Sequence, residues 1–247
     1  MIETKSKRAL VTGAAGATGL AISRALAADG FDVFMVDIDE ARLREAAAGI
    51  GERAHPVVLD ISDPARVAER CEEILDRHGA VQVLVNNAGV LSNNKAAATS
   101  DDEWRRLMSV NLDGAFYLCR ALLPAMRQAG WGRIVNMCSL AMKTGGLTAG
   151  TAYTTSKGGL AALTFSLARE TARDGITVNG IAPAYIRTPM VTEQLDEAQR
   201  RALLEQIPVG RFCEPEEVAH VVRFLVSPLA GFITGEIVDI NGGLHLD

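Results

Sequence analysis

Short apolar runs rich in β-branched residues alternate with longer helical patterns along almost the whole chain, and this alternation limits the possible folds more than any other feature. The predicted strands cover residues 9–12, 33–37, 56–59, 81–86, 133–138, 177–181 and 237–240. The predicted helices cover residues 17–29, 40–49, 64–78, 102–128, 153–173 and 215–226. Strands that alternate with helices of this length predict right-handed βαβ units and a parallel sheet. Because no linker or repeat divides the chain, we predict one doubly wound α/β domain over residues 1–247, with about seven strands and helices on both faces.

Composition excludes several classes of protein. The 247 residues are 48% hydrophobic and 22% charged, with a formal net charge of −5, which suits a globular chain with a sizeable core. No run of Lys or Arg would follow a phosphate backbone, so we expect no nucleic-acid partner. The polar N-terminus and the absence of an apolar run approaching about 18 residues predict neither a signal segment nor a membrane partner.

The cysteines and histidines are too scattered to form a disulfide framework or a metal site. The cysteines show no C-x-x-C spacing and the four histidines are isolated. We therefore expect no metal, reduced thiols and a cytoplasmic location. The cysteines are Cys71, Cys119, Cys138 and Cys213.

A cluster of small residues joins the first predicted strand to the first predicted helix. Residues 12–19 read Thr-Gly-Ala-Ala-Gly-Ala-Thr-Gly. Small residues let a backbone approach a pyrophosphate, and a helix N-terminus offers unpaired N–H groups and a positive dipole end. A tight turn that binds nothing is the alternative, but the position between strand and helix is the context that a dinucleotide site requires.

The second predicted strand ends at Asp37, 18 residues beyond Gly19. A carboxylate there accepts hydrogen bonds from adenosine ribose hydroxyls and repels a 2′-phosphate. Neither Gly16 nor Ile38 is basic, so the sequence favours NAD(H) over NADP(H). Asp37 also has a structural alternative, as the N-cap of the next helix.

Tyr153 and Lys157 stand four residues apart at the head of a predicted helix. Residues at this spacing share one helix face. A nearby positive charge lowers the pKa of a tyrosine and allows proton exchange with a substrate near neutral pH. A chance pair of surface neighbours is the alternative, and only the rest of the chain decides between them.

Taken together, these motifs resemble those of the short-chain dehydrogenase/reductase family, whose fold is of the Rossmann type. The similar features are the glycine turn, Asn-Asn-Ala-Gly at residues 86–89, Ser139, and the Tyr153–Lys157 pair, in the family's order over essentially all of the chain. The resemblance implies hydride transfer between a nicotinamide cofactor and an alcohol or ketone.

The resemblance also implies individual roles. It makes Ser139, Tyr153 and Lys157 catalytic, with Tyr153 exchanging the proton, and it gives Asn111 a water-linked proton path from Lys157. Asn86 would lock neighbouring strands. A strand-end cap for Ser139 and a kink or buried amide for Asn111 are the structural alternatives. The residues expected to bind NAD are Gly13, Ala15, Gly16, Ala17, Thr18, Gly19, Asp37, Asp60, Ile61, Asn87, Ala88, Gly89, Tyr153, Lys157, Pro183, Ile186 and Thr188.

Several positions depart from the family pattern. Ala17 replaces the second turn glycine, which is tolerable only if its φ is negative. Thr18 replaces an aliphatic residue, and Ala184 replaces a glycine. The interval from Ser139 to Tyr153 is one residue longer than expected, and we place the extra residue in the loop 143–150, beside the substrate.

The substrate is the least determined part of the prediction. We expect its walls at residues 91–95, 140–151 and 185 and in a helical lid at 189–212. Polar residues at the entrance favour a polyol, sugar or small hydroxy acid, unless they are simply solvated. A 3-oxoacyl-thioester reductase is the alternative, in which Lys95, Lys143 or Arg187 would meet a phosphate of the carrier. Such reductases more often use NADPH, which Asp37 disfavours.

A third hypothesis, from another class, is an idle dinucleotide-binding sensor or assembly subunit. The intact set of Ser139, Tyr153 and Lys157 argues against it. The resemblance further implies a homotetramer or homodimer that packs through the long helices and the last strand.

Overall fold

A seven-stranded sheet with helices on both faces forms the body of the computed structural model, which describes residues 7–188 and 196–246, except the side chain of Gln199. The strands are β1 (Lys7–Thr12), β2 (Phe31–Asp37), β3 (Ala54–Val58), β4 (Val83–Asn86), β5 (Gly132–Met137), β6 (Ile176–Pro183) and β7 (Ile237–Ile240). Their spatial order is β3-β2-β1-β4-β5-β6-β7. Each of these neighbouring pairs is parallel, which confirms the predicted doubly wound α/β fold.

The helices connect the strands in the predicted alternation. They are α1 (Ala17–Ala28), α2 (Glu40–Ala48), α3 (Pro64–His78), α4 (Asp101–Met108), α5 (Gly114–Ala129), α6 (Ala141–Thr144), α7 (Thr151–Thr171), α8 (Glu197–Gln206) and α9 (Pro215–Val226). The sequence did not predict α6, whereas α8 lies within the helical segment predicted at residues 189–212. The sequence also predicted one continuous helix over 102–128, whereas a π-helical segment, Ser109–Asp113, separates α4 from α5.

Local sequence sets several helix boundaries. Asp63 accepts hydrogen bonds from the N–H groups of Ala65 and Arg66 at the start of α3, and Pro64 occupies the first turn. Ser100 accepts one from the N–H of Glu103 at the start of α4. Such caps satisfy N–H groups that have no partner within the helix.

The core has two layers because successive strand residues point to opposite faces of the sheet. In β1, Ala9 and Val11 lie in the layer beneath α1, α2 and α9, whereas Leu10 lies in the layer beneath α3, α5 and α7. In β2, Val33 and Phe34 divide in the same way. Burial on both faces holds the strand ends in fixed positions, and the carboxyl ends of parallel strands meet along one edge.

Among the helices of residues 7–188 and 196–246, none is long and apolar enough to cross a membrane. Over those ranges, no group of three or more His, Cys, Asp or Glu side chains is placed to hold a metal ion.

Candidate active site

A cleft of about 430 Å³ opens at the carboxyl ends of β1, β4, β5 and β6. The sheet order reverses between β1 and β4, and ligands of open α/β sheets bind at such a reversal. The predicted residues that line the cleft are Gly13, Gly16, Ala17, Thr18, Asn87, Gly89, Ser139, Tyr153, Lys157, Pro183, Ile186 and Thr188. The predicted residues that lie outside its lining are Ala15, Gly19, Asp37, Asp60, Ile61, Ala88 and Asn111.

The turn between β1 and α1 has the shape that a pyrophosphate requires. Gly13 has a φ of +63°, which favours glycine. A β-carbon on Gly19 would lie 2.2 Å from the carbonyl oxygen of Gly13, so only glycine fits there. No described residue other than glycine has a positive φ, so Ala17 meets the condition set by the sequence analysis. Gly16 begins α1 without a side-chain cap, leaving the helix N–H groups for a ligand.

Asp37 lies behind this turn. Its Oδ2 accepts a hydrogen bond from the N–H of Ala15 at 3.0 Å, and its Oδ1 accepts one from the N–H of Asp39. Asp39, not Asp37, caps α2, so the structural alternative for Asp37 is wrong. The carboxylate keeps free lone pairs for ribose hydroxyls.

Arg42 is a residue that the sequence argument missed. It lies in the first turns of α2 and lines the cleft beside Gly16 and Thr18. Its Nη2 is 3.5 Å from the carbonyl oxygen of Ala15. A positive charge therefore stands close to the turn, although neither Gly16 nor Ile38 supplies one.

Asp60 and Ile61 have local partners. The Asp60 carboxylate accepts hydrogen bonds from the N–H and hydroxyl of Ser62. Ile61 is buried against Gly114, where an added β-carbon would lie 2.8 Å from it. These contacts fix the segment that follows β3 beside α5.

Residues 86–89 tie β4 to both neighbouring strands. Asn86 donates to Oδ1 of Asn136 in β5 at 2.8 Å, as expected for a strand lock. The Thr12 hydroxyl accepts hydrogen bonds from the N–H groups of Asn87 and Ala88. The floor of the cleft therefore rests on two strand ends joined by buried hydrogen bonds.

Ser139, Tyr153 and Lys157 converge on one side of the cleft. Ser139 follows β5 and is 8% exposed, whereas Tyr153 and Lys157 are one turn apart on α7. The Lys157 ammonium lies 5.8 Å from the centre of the Tyr153 ring and donates to the carbonyl oxygen of Met137 at 2.7 Å. The Ser139 hydroxyl accepts a hydrogen bond from the N–H of Ala141 and lies close enough to Tyr153 to lower the pKa of its phenol.

The pKa of Tyr153 differs from the sequence-based expectation. Burial raises it above its usual value, and the hydrogen bond from Ser139 only partly opposes that rise. Burial also lowers the pKa of Lys157 to about 8. The predicted lowering of the tyrosine pKa is therefore wrong for the protein alone, because desolvation outweighs the opposing hydrogen bond from Ser139.

Asn111 lies in the π-helical segment and is 1% exposed. Its side chain accepts a hydrogen bond from the N–H of Val90 and donates to the carbonyl of Val90 and to the hydroxyl of Ser156. A β-carbon on Gly89 would lie 3.3 Å from both Oδ1 of Asn111 and Nζ of Lys157, so these two groups are neighbours. The amide thus braces the loop after β4 against α7.

The outer part of the cleft is mainly apolar. It is lined by Val90, Leu91, Leu140, Ala141, Thr144, Leu147, Thr148, Ala149, Tyr185 and Leu244. The longer loop between Ser139 and Tyr153 borders the cleft, and its Thr148 hydroxyl lies 3.3 Å from the Tyr185 hydroxyl.

The three cations proposed to meet a carrier phosphate all have partners within the chain. Lys95 donates to the carbonyls of Gly146 and Ala149. Lys143 pairs with Asp239 at 2.7 Å and Arg187 pairs with Glu214 at 2.9 Å. None of the three is offered to a ligand in this conformation, which the sequence did not indicate.

Part of the predicted lid, residues 189–195, lies outside the described residues. The remainder contains α8, whose Leu203 packs with Ile207 and Phe212 next to Tyr185 and Leu244. A parallel bridge between Ile186 and Cys213 joins the chain on either side of this segment.

Comparisons with known proteins find similarity along nearly the full length of the chain. A family model described as enoyl-(acyl carrier protein) reductase matches residues 13–245. A 3-oxoacyl-[acyl-carrier-protein] reductase FabG from Pseudomonas aeruginosa is 40% identical, covering 98% of each chain. Proteins of the same name from Vibrio cholerae and Escherichia coli are each 38% identical, again covering 98% of each chain.

A solved structure from Brucella melitensis is also similar. It is described as a short-chain dehydrogenase/reductase, glucose/ribitol dehydrogenase, with a TM-score of 0.90, 34% identity, and coverage of 98% of this chain and 97% of that one. The chain belongs to the short-chain dehydrogenase/reductase family. As a member, it is an oxidoreductase that uses a nicotinamide dinucleotide.

The cleft of this short-chain dehydrogenase/reductase fits that cofactor on its own evidence. The approach at Gly13 and Gly19 leaves room that a β-carbon would fill, and the uncapped start of α1 suits a pyrophosphate. The missed residues of the cleft include Arg42 and Leu244, which follow no motif, as well as Val90, Met137 and Cys138. Only their place in the folded chain identifies them.

Proposed function

We propose that this enzyme reduces 3-oxoacyl thioesters, carried on acyl carrier protein or coenzyme A, to the 3-hydroxyacyl products. The observation that carries the proposal is the similarity, over nearly the full length of both chains, to relatives named 3-oxoacyl-[acyl-carrier-protein] reductase. The sequence analysis preferred a polyol, sugar or hydroxy acid, but the comparisons favour its alternative.

The outer cleft supports this choice. Among its walls, Leu91, Leu140 and Leu147 offer apolar surface to an acyl chain, beside the polar groups of Asn93, Thr144, Thr148 and Tyr185. The cations that the sequence offered to a carrier phosphate are engaged within the chain, so the proposal rests on the acyl part of the substrate and not on a phosphate contact. An acyl chain packed against such walls would be stabilised by about 25 cal/mol for each Å² of apolar surface that it removes from water.

A dinucleotide held by the turn from Gly13 to Gly19 would supply the hydride that the ketone carbon receives. The Tyr153 phenol donates the proton to the ketone oxygen, and its raised pKa keeps that proton in place at neutral pH. The Ser139 hydroxyl orients the oxygen and stabilises the charge that develops on it. Lys157, buried below the ring, stabilises the phenolate that remains, and Asn111 lies beside Lys157 on a path for the returning proton.

For the cofactor, we propose that NADH is preferred over NADPH. Asp37, held at the end of β2 by two backbone N–H groups, would accept from the ribose hydroxyls and repel a 2′-phosphate. Arg42 opposes this preference, because its guanidinium reaches the rim of the same turn. We propose the same cofactor-binding roles as before for the other residues that the sequence analysis expects to bind NAD.

The opposing charges of Asp37 and Arg42 predict opposite effects on the cofactor preference when each is replaced. Asp37→Ser is expected to narrow the NADH preference by about fivefold, and Arg42→Gln is expected to widen it about threefold, because exposed charges contribute roughly 1 kcal/mol or less. Dissociation constants for both dinucleotides, measured by quenching of protein fluorescence, check this. Equal affinities of the wild-type enzyme for NADH and NADPH would contradict the proposed role of Asp37.

Substrate assays test the proposed function directly. We expect kcat/KM for the NADH-dependent reduction of acetoacetyl-CoA to exceed kcat/KM for the reduction of crotonyl-CoA. We also expect it to exceed kcat/KM for the NAD⁺-dependent oxidation of ribitol or glucose. Fastest turnover of ribitol would restore the sequence-based preference, and fastest turnover of crotonyl-CoA would indicate an enoyl reductase. Dinucleotide binding without any turnover would favour the idle sensor.

We further propose that the enzyme is a cytoplasmic homotetramer or homodimer of one domain each, with residues 189–212 as a substrate lid. Phe116 on α5 and Phe165 on α7 are large exposed apolar side chains that a second subunit would cover. The four cysteines are free thiols, as in a reducing compartment. A mass of 26.3 kDa by light scattering, that of one chain, would contradict the oligomer.

A further inference from the structure

The longer loop beside the cleft, residues 145–150, is tied to the loop that follows β4. Lys95 Nζ donates to the carbonyls of Gly146 and Ala149, at 2.8 Å each. The N–H of Gly150 donates to the carbonyl of Ser92 at 2.7 Å. Hydrogen bonds from an ammonium are about twice as strong as neutral ones. Lys95 therefore holds both ends of a short tip, residues 147 and 148.

The loop that carries Lys95 is itself anchored to α4. Glu103, in the first turn of α4, accepts hydrogen bonds from the hydroxyl of Ser92 and from the amide of Asn94. These bonds lower the pKa of Glu103, so it stays ionised and keeps accepting them at neutral pH. The same loop also contacts α7, because the N–H of Thr151, its first residue, donates to the carbonyl of Asn94.

The tip held by Lys95 faces the substrate side of the cleft. Leu147 is 57% exposed and lines the cleft next to Thr148 and Ala149. Across the cleft, Thr148 meets Tyr185 through their hydroxyls at 3.3 Å. The leucine on this pinned tip is largely uncovered by the described chain, but an apolar chain of a substrate would cover it.

We propose that Lys95 is a positioning residue for substrate selection, resting on the proposed function above. By fixing the carbonyls of Gly146 and Ala149, it holds Leu147 against the acyl chain of the thioester. Lys95 does not line the cleft and touches no reacting atom. Its removal is therefore expected to weaken substrate binding and to leave the chemical step unchanged.

Three variants test this role with acetoacetyl-CoA and 3-oxooctanoyl-CoA. In Lys95→Met we expect KM for 3-oxooctanoyl-CoA to rise about tenfold and KM for acetoacetyl-CoA less, because the longer chain contacts more of the tip. We expect kcat and the KM for NADH to stay within about twofold. Lys95→Arg should retain most of the wild-type selectivity, because a guanidinium has donors for both carbonyls. The matched control is Lys7→Met, a lysine at the far end of β1.

Hydrogen exchange gives a readout that needs no substrate. The peptide covering residues 144–152 is expected to exchange faster in Lys95→Met than in the wild type and in Lys7→Met. Unchanged exchange, or faster exchange with unchanged KM values and selectivity, would overturn the role of Lys95. If the wild-type enzyme reduces neither thioester, the proposed function fails, which is a distinct result.

Discussion

Replacing Tyr153 with Phe is expected to lower kcat for ketone reduction by about 10³-fold, because general acid catalysis contributes about 10²–10⁴-fold. The change removes one hydroxyl and leaves the ring, which is half-buried above Lys157. Loss of about 10³ in rate corresponds to about 4 kcal/mol of transition-state stabilisation. Steady-state reduction of acetoacetyl-CoA at saturating dinucleotide measures it.

The pH dependence identifies the group behind Tyr153. Burial lowers the pKa of Lys157 to about 8 and raises that of Tyr153, so Lys157 is the first of the two to lose its proton as pH rises. Its charge is present below about pH 8 and is lost above it. The wild-type kcat/KM for reduction is therefore expected to be level below about pH 8 and to fall above it.

A matched variant separates this effect from a general loss of stability. Lys157→Met should reduce the rate and abolish the fall above about pH 8, because no charge remains to be lost. A Tyr153→Phe enzyme with wild-type kcat would refute the assignment of the proton donor. A wild-type kcat/KM that stays level up to about pH 10 would refute the assignment of the fall above about pH 8 to Lys157.

Features that depend on residues close in sequence were predictable. The four-residue spacing of Tyr153 and Lys157 fixes their shared helix face, and the alternation of β1 and β2 fixes two core layers. These features follow from local geometry alone. The small residues of the turn from Gly13 to Gly19 are also local, but its shape is held in addition by the hydrogen bond from the N–H of Ala15 to Asp37.

Features that depend on distant contacts were not predictable. Lys95 donates hydrogen bonds to carbonyls 51 and 54 residues away, and Lys143 donates to a carboxylate 96 residues away. Sequence showed these residues as entrance cations, whereas the fold turns them into internal ties. The predicted direction of the Tyr153 pKa shift was wrong for the same reason, because burial is a property of the whole fold.

Replacing Gly19 with Ala is expected to raise the dissociation constant for the dinucleotide by about 100-fold. The new β-carbon would lie 2.2 Å from the carbonyl oxygen of Gly13 and 2.8 Å from the Cα of Ala14, and both are backbone atoms. Overpacking of this kind costs about 1–3 kcal/mol, and each 1.4 kcal/mol is a factor of about ten in affinity. Fluorescence titration with NADH, with circular dichroism of the same samples, measures binding and folding together.

Gly16→Ala is the matched control, because it adds the same methyl group to the same turn. Its β-carbon would lie 3.4 Å from the carbonyl oxygen of Gly13, and Gly16 has a φ of −79° that alanine adopts without strain. We expect a change in dinucleotide affinity of less than about threefold. If both variants bound NADH as the wild type does, the turn would not be the phosphate site. Equal losses in both would mean that any added methyl group blocks the ligand, so that the clash at Gly19 would not explain the effect.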